Sequence, residues 1–377
     1  MKPLSVAIAA NGFADGPAQA LRDYLVSRDT SVVTIFHPLT REQGTEHVVA
    51  TYAEGSEVEV RSRAVPLHPP FSFAADPLIP LRVPRVDAWF GFNPLACARG
   101  LVQRRLGRAR SVVLWSVDFV PDRFGRGTPL TRLYNRIDRL CCTRADARIE
   151  LSEAARVARD HHHGLGPSGV RTLVVPMGAW LERVPTVPED GFARRRVAYL
   201  GHLVPRQGVA VLLEALALLR ARGEEVVADV IGAGPEELRL KESVRSLGLS
   251  DVVRFHGYVP DHRDVERLLA SSSIAVAPYE PSETTFTRYA DPGKLKAYLA
   301  AGLPIIVTDV PPIARELARE AGAELVRYEA AAIADAIAAG LASPGQWRER
   351  RNRALLYVRR FDWAALLPDA LVRLGLI

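Results

Sequence analysis

Short apolar runs, each closed by a turn and followed by a stretch with helical spacing, recur along this chain. In the first half they predict strands over residues 4–9, 31–36, 86–90, 111–117, 147–151 and 171–175. Helices are predicted over 17–25, where Pro17 suits a helix start, and over 129–142. A proline-rich stretch, 66–84, interrupts the alternation and reads as a long loop. Periodicity stops again at 184–191, where proline, glycine and charge take over as in a linker. It restarts with a strand over 197–201 and a helix over 209–222. Leu212, Leu213, Leu216 and Leu219 line one face of that helix, and Gly223 stops it. Strands over 226–231, 252–255, 274–277, 304–308 and 324–326 follow. Strands alternating with helices imply parallel sheets covered on both faces. The fold class expected is α/β, two Rossmann-like parallel-sheet domains in series, facing a central cleft.

Length agrees, since 377 residues exceed what one hydrophobic core usually organises. No apolar run is long enough to cross a membrane, and a strand begins almost at once, so neither a span nor a signal peptide is expected. Cys97, Cys141 and Cys142 form no disulfide framework and no CxxC pair for zinc, which points to a reducing, cytoplasmic compartment. Cys141 and Cys142 read as core. Of 49 basic residues only Lys2, Lys241, Lys294 and Lys296 are lysines. The arginine skew, with abundant alanine, suggests a GC-rich bacterial genome. The net charge of +6 includes a basic stretch, 99–110, read as a solvated helix face. It lacks interleaved aromatics, so no nucleic-acid partner is expected, while peripheral contact with an anionic membrane surface stays open. Consecutive helical residues point in different directions, so His161, His162 and His163 read as a solvated helix end, not a metal site.

In a doubly wound sheet, ligands bind beyond the carboxyl ends of the strands, where helix N-termini present free N–H groups. Four loops of the second half qualify. The first runs from Tyr199 through Gly201, His202, Arg206 and Gln207 to Gly208. The second is the turn holding Gly232 and Gly234 before Pro235, where close approach to a ligand and tight strand–helix packing explain the glycines equally well. The third is His256, Gly257, Tyr258 and Val259. The fourth carries Glu283, Thr285, Arg288, Tyr289 and Asp291 into a helix opening at Pro292, with Asp291 expected as its N-cap. Lys294 sits in the first turn of that helix, where the macrodipole alone would prefer an acid; a bound anion would reverse that preference.

Together these loops resemble the C-terminal domain of retaining GT-B glycosyltransferases, particularly glycosyltransferase family 4, over residues 196–313. Residues 199–208 look like the family's GRL-x-x-x-KG stretch, 231–235 like its GxGP turn, 256–259 like its GFV base-contact loop and 297–304 like EAMAxGxP. The first half is similar more loosely. Residues 11–17, with Gly12 and Gly16, occupy the place of the glycine-rich loop; 115–121, with Asp118, look like the strand end facing the donor sugar; 145–153 look like the segment closing the first domain. The resemblance implies domains at 1–183 for the acceptor and 196–360 for the nucleotide-sugar donor, a linker at 184–195, and a last helix in 361–377 returning to the first domain. Phe361, Trp363 and Leu366 would anchor that return.

The same resemblance implies transfer of a sugar, with retention, from a nucleotide-sugar to a hydroxyl acceptor. It implies no metal and no cofactor beyond the co-substrate, UDP-sugar being favoured over GDP-sugar. No Asp-x-Asp occurs, and no His/carboxylate cluster is expected at a strand end. Yet the family's diphosphate-binding Arg and Lys fall on His202 and Gln207, its two glutamates on Tyr289 and Ala297, and its strand-end histidine on Val117. One reading gives the diphosphate to Lys294 with Arg288 or Arg206, sugar hydroxyls to Asp291 or Glu283, and hydroxyl orientation to Asp118. The other is an altered GT-B protein: a pseudo-glycosyltransferase, an epimerase or a non-catalytic partner. A dinucleotide-dependent oxidoreductase fails, because the Gly232–Gly234 turn lacks the third glycine.

Overall fold

The computed structural model describes residues 4–13, 15–39, 41–69, 71–76, 79–80, 83–166, 170–282 and 286–377. The chain divides into unit 1, Met1–Pro176 with Ala364–Ile377, and unit 2, Met177–Trp363.

Unit 1 holds β1 (Ser5–Asn11), α1 (Pro17–Val26), β2 (Ser31–His37), β3 (Glu46–Ala53), β4 (Ser56–Ala64), β5 (Val86–Gly91), α2 (Pro94–Arg105), β6 (Ala109–Ser116), α3 (Pro129–Arg144), β7 (Ala147–Glu150), α4 (Glu153–His163) and β8 (Arg171–Val174). The sheet order is β4-β3-β2-β1-β5-β6-β7-β8. The strands from β2 to β8 in that order pair in parallel, and β3 is antiparallel to both β2 and β4. Strand β1 reads as an unbroken apolar run because both its faces are covered, with Val6, Ala7 and Ile8 fully buried.

The β3–β4 hairpin is absent from the sequence reading, and the reason is local. Strand β4 is exposed along its whole length, so no buried face marks it. Its signal was the turn: Glu54 and Gly55 both take positive φ, 52° and 72°, as the two central residues of a type I′ hairpin turn do. The 99–110 stretch is not one solvated helix face either. It spans the end of α2 and the start of β6, and Arg99 is buried, its guanidinium donating to the Asp76, Ile79 and Pro80 carbonyls. His163 likewise is buried and meets Asp138 at 2.8 Å, so the triple-histidine helix end is only partly solvated.

Unit 2 holds β9 (Arg196–Leu200), α5 (Val209–Ala221), β10 (Val227–Ile231), α6 (Glu237–Ser246), β11 (Val253–Gly257), α7 (His262–Ala270), β12 (Ile274–Ala277), α8 (Gly293–Ala300), β13 (Ile305–Thr308), α9 (Ala314–Glu320), β14 (Glu324–Val326), α10 (Ala330–Gly340) and α11 (Pro344–Tyr357). All six strands are parallel, in the order β11-β10-β9-β12-β13-β14. Strand order reverses between β9 and β12, so the loops after these two strands flank a topological switch point. The stretch 184–195 lies within unit 2, because Val184 and Val187 enter its core and the Val187 N–H donates to the Ala301 carbonyl at 2.8 Å.

Helix α12 (Trp363–Leu374) follows, and from Ala364 onward it belongs to unit 1. Trp363, still in unit 2, is buried; in the part that belongs to unit 1 the buried residues are Leu367, Ala370 and Leu371, one helical face, whereas Leu366 is only half-buried. Phe361 is not an anchor on unit 1; it packs in the core of unit 2.

Candidate functional site

Helix α8 sets the geometry at the switch point of unit 2. It opens at Gly293 with Pro292 as N-cap and no side-chain cap. Asp291 is therefore not the cap. Its carboxylate accepts from the Met177 N–H at 2.7 Å and from Lys296 Nζ at 2.5 Å, while the Lys296 ammonium also lies 4.1 Å from the centre of the Phe361 ring. Lys296 is completely buried, so this pair is an internal tie.

Lys294, in the first turn, has other surroundings. Its Nζ donates to Gln207 Oε1 at 2.6 Å and to Tyr199 Oη at 3.4 Å. The same ammonium stands 4.4 Å from the centre of the Tyr199 ring and 4.9 Å from that of Tyr279. These are neutral partners in a crowded place, and desolvation lowers the Lys294 pKa to about 7. Burial pushes Tyr199 and Tyr279 well above the usual phenol range, so both stay protonated.

The glycines of the first two loops are packed against this arrangement. A Cβ on Gly201, whose φ is +142°, would lie 2.7 Å from Lys294 Nζ. One on Gly232 would lie 2.0 Å from the Gly201 carbonyl, and one on Gly234 would lie 2.4 Å from that of Leu203. Close packing of strand–helix loops on one another is thus enough to require the Gly-x-Gly turn. Gly208 is confined by the Pro278 carbonyl in the same way.

The third loop is fixed from below. His256 Nε2 meets Asp229 Oδ1 at 2.7 Å, and the other oxygen of this buried carboxylate accepts from Arg196 at 2.6 Å. The Gly257 carbonyl accepts from the Gly232 N–H at 2.9 Å, Val259 packs on the core and Tyr258 is exposed. In the fourth loop Arg288 is exposed and, with Pro281, Asp309, Val310 and Arg315, lines a cavity of about 440 Å³. Tyr289 is half-buried, His202 and Arg206 are exposed and Gln207 is half-buried. Glu283 and Thr285 lie outside the described residues.

In unit 1, Gly12 follows β1 with φ +109° and donates its N–H to the His37 carbonyl, and Gly16 is the N-cap of α1. Asp118 lies just beyond β6, its carboxylate half-buried and paired with Arg123. What holds this strand end is a buried ionic network that the sequence reading missed. Arg159 pairs with Asp138 and Glu150, and also donates to Ser116 Oγ and, at 2.7 Å, to the Asp118 carbonyl. Burial works against the Asp138 charge, but Arg159 and His163 outweigh it and hold that carboxyl below its usual range. Nothing in sequence spacing links these groups; the one available signal was charge placed at alternate positions of the short, fully buried strand β7.

Residues 194–343 match the family described as "Glycosyl transferases group 1". A phosphatidyl-myo-inositol mannosyltransferase of Mycobacterium leprae is 30% identical over 225 residues, 58% of this chain and 56% of that protein. The chain thus spans little more than half the length of this relative. The fold extends further. Sucrose-phosphate synthase from Thermosynechococcus elongatus superposes with a TM-score of 0.74 over 98% of this chain and 97% of its own, at 17% identity. Anabaena Alr3699/HepE in complex with UDP and glucose gives 0.69 over 99% and 100%, also at 17%. Residues 194–343 thus resemble a group 1 glycosyltransferase domain, in a chain that has the GT-B fold.

Proposed function

We propose that this chain is a retaining glycosyltransferase that moves a sugar from a UDP- or GDP-linked donor to a hydroxyl acceptor in bacterial glycan or natural-product biosynthesis. UDP is the favoured carrier, and unit 2 holds the donor. The observation that carries the reading is Lys294. It stands at the N-terminus of α8, at the switch point, beside Gln207, which occupies the place of a family basic residue.

As the diphosphate departs, an oxocarbenium-like sugar forms and negative charge grows on the leaving β-phosphate oxygen. Lys294, the free N–H groups of α8 and Arg206 or Arg288 would stabilise that charge, and the leaving phosphate would take the acceptor's proton. One preorganised donor of this kind is worth about 3 kcal/mol, roughly a hundredfold in rate. Asp118 is the group proposed to orient hydroxyls. Asp291 acts at one remove, holding Lys296 and the chain at Met177. The exposed Val102 and Arg105 of α2, with Leu106 just beyond it, support peripheral contact with an anionic membrane surface.

Incubation with radiolabelled UDP- and GDP-sugars and a panel of hydroxyl acceptors tests the function. Glycosylated product with the donor's anomeric configuration is expected. Isomerised donor would make the chain an epimerase, and binding without turnover would make it a non-catalytic partner. A thermal-shift panel of UDP, GDP, ADP and dTDP identifies the base, since a ligand at about 100 times its Kd adds about 2.7 kcal/mol of stability.

A further inference from the structure

One cluster in unit 1 is unconnected with donor chemistry. His37 ends β2 and His47 stands near the start of β3, ten residues later. Asp76 comes from the long proline-rich loop. All three are buried. Their facing atoms form a small triangle: His37 Nδ1 to His47 Nδ1 is 2.7 Å, and Asp76 Oδ1 lies 3.7 Å from the first and 3.5 Å from the second. The sequence reading expected no His/carboxylate cluster at a strand end; this one escaped it because Asp76 lies 29 residues beyond His47.

We propose that His37, His47 and Asp76 form a binding site for one divalent transition-metal ion of the zinc type, which ties the proline-rich loop to β2 and β3. The triangle has a centre about 2 Å from all three atoms, the length of Zn–N and Zn–O bonds. Two imidazoles and a carboxylate are a ligand set zinc favours, and a displacement out of the triangle's plane leaves a fourth position for water. The nitrogens stand closer than the roughly 3.3 Å a tetrahedral ion imposes, so loading parts the two rings by about half an ångström.

The alternative is an imidazole–imidazole hydrogen bond with no ion, which accounts for the 2.7 Å contact. It leaves Asp76 Oδ1 buried with no hydrogen-bond partner, at distances from both nitrogens too long for a hydrogen bond. An ion at the triangle's centre satisfies that oxygen. His47 Nε2 is unpartnered in either case and does not discriminate. The surroundings hold the ligands as an outer layer of a metal site does. Asp76 Oδ2 accepts from Asn11 Nδ2 at 2.8 Å, and Asn11 Oδ1 accepts from Asn93 Nδ2 at 2.8 Å. Arg99 clamps the loop by its carbonyls at Asp76, Ile79 and Pro80, not by the carboxylate.

The test uses the full chain without a histidine tag, unfolded with chelator, then refolded with zinc, with cobalt(II) or with neither. After dialysis, elemental analysis should find about one zinc per chain, and the cobalt form should show the intense visible bands of a tetrahedral ion. The refolded metal-free chain should melt at lower temperature than the zinc form. His37→Gln, His47→Gln and Asp76→Asn should each cut retained metal at least about tenfold, while His161→Asn, at the exposed helix end, should keep it. Wild type that refolds without retaining zinc or showing the cobalt bands overturns the proposal, whether or not the variants fold. So does stoichiometric metal in folded His37→Gln/His47→Gln.

Discussion

Lys294 donates a hydrogen bond from Nζ to Gln207 Oε1 at 2.6 Å, joining the first turn of α8 to the loop that follows β9. The two residues are 87 positions apart, and Gln207, on which the resemblance places a family cation, is in contact with the cation proposed to take its role. Lys294→Ala should therefore weaken UDP or GDP binding about ten- to a hundredfold while leaving uridine or guanosine binding nearly unchanged, because a charge-assisted hydrogen bond contributes about 1.5–3 kcal/mol. Turnover should fall further than affinity, since the leaving group is more negative in the transition state. Calorimetry with the nucleoside and its diphosphate decides it. Equal diphosphate affinities would transfer the role to Arg288 or Arg206.

The lowered Lys294 pKa gives this binding a pH dependence of defined sign. At pH 6 the free chain carries the charge and by pH 8 most of it is lost, while a diphosphate favours the charged form. Affinity should fall as pH rises from about 7 to 9, by up to about tenfold per unit, with a proton taken up on binding. Calorimetry in buffers of different ionisation enthalpy measures that uptake, and the slope should vanish in Lys294→Ala. For stability without ligand the direction is opposite. The folded pKa lies below the unfolded value of 10.5, so the cost of burying the charge is fully present below pH 7 and is relieved between 7 and 10.5. A pH-independent affinity would remove Lys294 from the phosphate site.

How much of this was legible depends on the range of the interaction. Strand β12 was read from the sequence with its observed ends, because burial on both faces leaves an apolar run that needs no partner to identify it. The position of Lys294 was legible too, since helix-start chemistry is local. The tie between Asp291 and Lys296 was not: Asp291 before Pro292 has the local pattern of an N-cap, and only the fold brings Met177 and a buried ammonium to its carboxylate. The Arg159 network failed for the same reason, as it joins residues far apart in sequence, whereas strand β4 was missed because no buried face marks it.

Chelation separates the two metal questions. If Lys294 and the α8 N-terminus carry the diphosphate, the initial rate of sugar transfer by native protein should be unchanged within minutes of adding EDTA. A buried ion at His37, His47 and Asp76 would leave only on unfolding. Immediate loss of activity, restored by Mg²⁺ or Mn²⁺, would mean that a metal bridges the donor phosphates.

Arg159 gives the sharpest stability prediction. It is almost completely buried, pairs with Asp138 and Glu150, and donates to Ser116 and the Asp118 carbonyl, so it both neutralises two buried carboxylates and holds the end of β6. Replacing both partners of a buried pair with apolar groups is often neutral, but removing one leaves uncompensated charge in low dielectric. Arg159→Met should therefore destabilise unit 1 by about 3–5 kcal/mol, with the loss growing between acid and neutral pH as the orphaned carboxylates ionise. Arg159→Lys should recover part of it, restoring charge but not the forked contact with Ser116 and the Asp118 carbonyl. Urea denaturation followed by tryptophan fluorescence, with Trp89 and Trp115 reporting from unit 1 and Trp180, Trp347 and Trp363 from unit 2, reads the effect. A loss below about 1 kcal/mol in Arg159→Met would mean that Arg148 and His163 suffice to neutralise the cluster.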